Sequence, residues 1–105
     1  MGRAGSGIGP RLGTRYVSVG ELRGVQVIHD VSPNAARNDE LRRESLRKLF
    51  DRGASAVARN AGPVVVGVSP TGKTEIFSGR HRIDVFREPK YREGRLLVRF
   101  VRMVD

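Results

Sequence analysis

The chain has no cysteine. That excludes a disulfide framework, a thiolate metal site and a cysteine nucleophile together. Tryptophan is absent and aromatics make up 6% of residues, so any core must rest on Val, Leu, Ile and four Phe. With only His29 and His81, a histidine-rich metal cage is not expected either. No apolar run approaches the length of a membrane helix, and no signal-peptide core follows Met1, which predicts no membrane insertion. Acid is scarce too. Eleven Asp and Glu stand against 20 Lys and Arg, leaving a formal charge of +9. Most of the cations are Arg, whose planar guanidinium makes two-pronged hydrogen bonds to phosphate. The balance points to a polyanionic partner, nucleic acid or a nucleotide. The bland alternative is a basic surface that serves solubility or meets an acidic protein.

At 105 residues, with 38% apolar and 30% charged side chains, the chain is sized for one globular domain. Residues 1–15 (MGRAGSGIGPRLGTR) hold five glycines, three arginines and no acid, which predicts a flexible basic arm or linker remnant ahead of a domain at 16–105. Tyr16–Val19 and Val25–Ile28 read as short strands. Ser32-Pro33 resembles a helix or turn start, with Ser as cap and Pro in first position. A helix is predicted from Asn38 or Asp39 to about Arg52, stopped at Gly53, with Leu41, Leu46, Leu49 and Phe50 as its apolar face. Its other face carries Asp39–Arg43, Glu44–Lys48 and Arg47–Asp51 four residues apart, the pattern of solvated ion pairs. A short helix at Ala54–Asn60, a buried strand at Val64–Val68, a strand at Thr74–Phe77, a helix at His81–Arg87 and a last strand at Leu96–Met103 complete the order. The expected fold class is α+β, a small mixed sheet with two to three helices.

Gly67-Val68-Ser69-Pro70-Thr71-Gly72-Lys73-Thr74 fits the phosphate-loop pattern G-x-x-x-x-G-K-[ST] without a mismatch. Such a loop needs a helix directly after the Lys-Thr, so that backbone N–H groups meet the phosphates. Here Glu75-Ile76-Phe77 favours a strand. A hairpin turn is the expectation.

Ser78-Gly79-Arg80-His81-Arg82 carries more weight. Gly79 lets backbone approach a phosphate, and Arg80 and Arg82 supply charge-assisted bonds. Between two arginines, His81 is expected to be neutral, as a general base or as a phosphate donor. His29 reads as structural. The acids Glu21, Asp30, Asp39, Glu75 and Asp84 are candidate metal ligands, and no pair of them has a diagnostic spacing.

In order, Pro33-Asn34-Ala35-Ala36-Arg37, the helix at 39–50, Pro63–Val68, Thr71-Gly72-Lys73 and Ser78–Arg82 resemble the N-terminal domain of ParB partition proteins, which shares a fold with sulfiredoxin. The resemblance spans about residues 16–104. It implies a ParB/sulfiredoxin-like fold with Ser78, Gly79, Arg80, His81, Arg82, Asn34 and Arg37 around the phosphates of a nucleoside triphosphate or nucleic acid. Within that superfamily it implies a ParB-like nuclease, with His81 and Arg82 catalytic and Mg²⁺ or another divalent cation as a candidate cofactor. A glycine-rich, basic lead-in suits a C-terminal toxin module of a larger secreted protein, acting in the cytoplasm and held in check by an acidic immunity protein. A non-catalytic nucleic-acid or nucleotide-binding module, and a nucleotide-hydrolysing or kinase domain, remain open beside it. The missing cysteine excludes sulfiredoxin's repair chemistry. These 105 residues hold neither the helix-turn-helix nor the dimerisation domain of partition proteins, so sequence-specific centromere binding is not expected, and the link from Gly53 to Pro63 is longer than the family's usual one.

Overall fold

The chain is an α+β domain; its computed structural model describes residues 12–25, 27 and 33–103, with 33–35 given by backbone alone. Strand β1 (Gly13–Val17) leads through a 3₁₀ turn at Gly20–Leu22 to α1 (Pro33–Asp51) and α2 (Ala54–Ala61). There follow β2 (Val64–Val68), β3 (Thr74–Ser78), α3 (Arg80–Phe86), a 3₁₀ turn at Pro89–Tyr91 and β4 (Leu96–Arg102). The sheet runs β1-β4-β2-β3. β4 lies antiparallel to β1 and parallel to β2, and β2 and β3 form a hairpin.

Cross-strand partners share a face, so the register sorts the side chains. Val17 opposite Leu96, Val64 opposite Val98 and Val66 opposite Phe100 turn to one side, and all six are buried. α2 and α3 pack on the sheet, and Ile83, Val85 and Phe86 of α3 are fully buried. Phe50 at the end of α1 joins Phe86 and Tyr91, with ring centroids 6.1 and 5.3 Å away. Burying a side chain of this size contributes about 1.5–3 kcal/mol, so this seam holds the helices to the sheet.

Helix α1 begins at Pro33, earlier than Asp39. Pro sits comfortably at a first helical position, and two alanines after it favour helix. Asp39 and Glu40 consequently fall in the second turn, where the helix dipole has faded. The glycine stop is where it was expected: Gly53 has φ +105° and its carbonyl receives the N–H groups of Ala56 and Val57, opening α2. α2 fills the long link to Pro63.

Three expectations need correction. β1 begins at Gly13, so the sheet takes up three residues that composition assigns to the arm. Val25 and Val27 stand outside any strand, while Gln26 and Ile28 lie outside the described residues. At Val25 the N–H donates to Leu22 and the carbonyl accepts from the Arg87 guanidinium, which replaces a strand ladder. Leu41 is 57% exposed rather than part of the apolar face, because α1 turns Leu46, Leu49 and Phe50 to the core and leaves Leu41 on its flank.

Candidate phosphate-binding groove

The loud loop motif is a hairpin. Ser69, almost fully buried, accepts the N–H of Gly72 at its carbonyl (2.9 Å) and that of Lys73 at its hydroxyl (3.0 Å). Those are N–H groups a phosphate loop would present to a ligand. Thr74 then opens β3, and no helix follows.

The groove lies elsewhere. An open depression of about 560 Å³ is lined by Leu41, Arg42, Ser45 and Leu46 from α1, Ala61 from α2, and Ser78, Gly79, His81 and Arg82 from the β3–α3 junction. Of the residues expected at a phosphate, it gathers Ser78, Gly79, His81 and Arg82. Arg80 is exposed and outside the lining. Arg37 is also exposed and outside it, one turn before Leu41 on the same side of α1. Asn34 lies in the first turn of α1, and its side chain falls outside the described residues, as do His29 and Asp30.

Gly79 is in the left-handed region (φ +97°), and a Cβ there would meet Val64 Cγ2 at 2.7 Å and Arg82 Nη2 at 2.9 Å. Both the sharp turn from β3 into α3 and the closeness of the guanidinium therefore require glycine. Arg82 is only 8% exposed. Its Nη1 donates to the carbonyls of Gly62 (2.6 Å) and Ala61 (3.3 Å), at the C-terminal end of α2. It pairs with no carboxylate among the described residues, and desolvation pushes its pKa below the usual guanidinium value. The helix end offers about half a unit of negative charge, so a net positive charge remains at the groove floor.

His81 meets a partner that its neighbours in sequence do not announce. Its Nε2 lies 2.6 Å from Oδ1 of Asp39, which is 6% exposed on α1. The charged group in hydrogen-bond contact with the ring is thus an anion, where the flanking Arg80 and Arg82 suggest cations alone. A buried carboxylate holding one imidazole nitrogen fixes the ring plane. Two of the other candidate acids have structural contacts. Glu21 accepts the N–H of Ser18 (2.8 Å), a bond that holds its carboxyl below the usual range, and Asp84 faces Arg43 at 3.5 Å. Glu75 is exposed on β3. Among the described residues no three His, Asp or Glu side chains converge to hold a metal ion.

Sequence reasoning missed Leu41 and Leu46 as groove walls, and Arg42, Ser45 and Ala61 altogether. The spacing of Leu41, Arg42 and Ser45 puts them on adjoining flanks of one helix turn, a usable signal. Nothing in the sequence links Asp39 to His81, 42 positions apart. Compared with known proteins, the chain matches no family model, no curated protein and no solved structure. No described helix is long and apolar enough to cross a membrane.

Proposed function

We propose that the groove binds phosphate groups of nucleic acid and that phosphodiester cleavage takes place there. The observation that carries the reading is Arg82, a buried guanidinium on the groove floor with two carbonyl partners and no carboxylate among the described residues. Burying an uncompensated charge is costly, and a bound anion removes that cost. Arg42 adds a second cation at the wall. His81, held by Asp39, is the group that would move a proton next to the phosphate. The net charge of +9 favours a polyanion over a small neutral ligand. The resemblance to ParB-like nucleases leads to the same chemistry, and a toxin module fits it, with an acidic immunity protein covering the basic face.

The test is to incubate the chain with plasmid DNA and with RNA, with Mg²⁺ and with EDTA. Cleavage under at least one condition is expected, together with its loss in His81→Gln at unchanged circular dichroism. Substrates left intact throughout would refute the nuclease. A second reading draws on the groove volume, which falls in the range of small-molecule sites. A nucleoside triphosphate would then be the ligand, and calorimetric titration with nucleotides separates that case.

A further inference from the structure

We infer that the outer face of the sheet, turned away from the helices, is a stacking platform for the bases of a single-stranded nucleic acid. It is a second surface beside the groove, which shares the polyanionic ligand of the reading above and requires no cleavage. The core draws its sheet residues from one face, Val17, Val66 and Phe100 among them, and the buried side chains of α2 and α3 belong to the same cluster. Successive side chains of a strand point to opposite faces. Tyr16 opposite Leu97, Val65 opposite Arg99 and Gly67 opposite Val101 therefore stand on the outer face.

The chain has four Phe and two Tyr. Phe50, Phe86, Tyr91 and Phe100 are buried, while Tyr16 and Phe77 are 45% and 52% exposed. Phe77 has no partner in the register, because the pairing of β3 with β2 is irregular at Val65 and Val66, and a bulge re-aims a side chain. Its ring lies over Gly67, 2.6 Å from where a Cβ would stand, so glycine makes the room. Both exposed rings thus share the outer face. Tyr16 and Gly67 are two strands apart, about 10 Å at the usual spacing, so the rings serve different bases. Between them Arg99 is exposed on the interior strand β4, a cation for the intervening phosphate. Glu75, opposite Gly67, is an acid at the edge of this face. A formal charge of +9 sets two copies of the chain against each other and draws a polyanion, which favours nucleic acid over self-association. Aromatic rings on a sheet stack unpaired bases, whose faces a duplex hides. Ser78, next after Phe77, lines the groove, so one strand can pass from the rings to Arg82.

The experiment measures binding of a short fluorescein-labelled oligothymidylate by anisotropy in EDTA, beside the same strand annealed to its complement. The single strand is expected to bind more tightly than the duplex. Tyr16→Ala and Phe77→Ala, both at exposed positions, should each weaken it about fivefold or more at unchanged circular dichroism. Tyr16→Phe keeps the ring and should bind as the native chain does. The slope of log K against log salt should stay the same in both alanine variants, because they remove no phosphate contact. Arg82→Met tests the groove separately. Loss of binding there, with the alanine variants unchanged, would overturn the platform and leave the groove standing; the reverse pattern supports the platform and removes the groove. Polyglutamate bound as tightly as the oligonucleotide, with the same loss in the alanine variants, assigns the face to an acidic protein and overturns the inference. So does a dimer in sedimentation that the alanine variants dissolve. No binding of the single strand by the native chain overturns both readings.

Discussion

Two glycines in this chain are not equivalent, and their surroundings say why. An alanine at Gly79 meets Val64 and the Arg82 guanidinium at under 3 Å while adopting a positive φ. Gly79→Ala should cost about 1–3 kcal/mol from overpacking alone, with left-handed strain added, as read by urea denaturation. An alanine at Gly67 meets first the ring of Phe77, which is 52% exposed and can swing away. Its cost belongs at the low end of that range. Arg82→Met keeps the apolar stem but strips two carbonyls of their donor, for a predicted loss of about 1–3 kcal/mol. It also removes the positive floor. An oligonucleotide that raises the Tm of the native chain should therefore do little for this variant; equal shifts would place the ligand elsewhere.

Between elements, α1 and α3 are clamped by their charged side chains. Arg47, which its spacing assigns to Asp51, donates to Glu88 beyond α3 at 2.7 to 3.1 Å and to Glu40 at 3.2 Å. Asp51 accepts instead from Tyr91 (2.7 Å) and pairs with Lys90 (2.8 Å). What reads as a solvated lattice within one helix is a clamp between two, and Asp39–His81 is its inner member. Arg47 holds the Glu88 carboxyl below its usual value, chiefly through the hydrogen bonds. A carboxyl depressed on folding adds stability above its unfolded pKa and loses it as pH falls through the folded one. Glu88→Gln should thus have a lower Tm than the native chain at neutral pH, and the gap should close on acidification below the usual carboxylate range. A gap that persists there would mean the clamp acts by shape rather than charge.

For the molecule as a whole, the surplus of cations decides how it meets a polyanion. Binding to single-stranded nucleic acid should weaken steeply with salt through counterion release. Arg42→Ala, at an exposed position on the groove wall, should weaken binding across sequences and reduce the slope of log K against log salt by about one, measured by fluorescence anisotropy. An unchanged slope would remove Arg42 from the interface.

The sequence by itself determined most of the elements and the identity of the turn. Val64–Val68 runs as an unbroken apolar strand, Gly53 stops a helix, and Gly72-Lys73 turns a hairpin, because these depend on local periodicity and backbone freedom. It also marked Ser78–Arg82, since strand, glycine and basic residues stand side by side. The meeting of α1 with α3 was decided only in three dimensions. Which carboxylate holds His81, which carbonyls hold Arg82 and why Leu41 stays outside depend on how two helices cross over one sheet. Those contacts join residues 20 to 42 positions apart, and packing of the buried apolar faces, not any local pattern, selects the crossing.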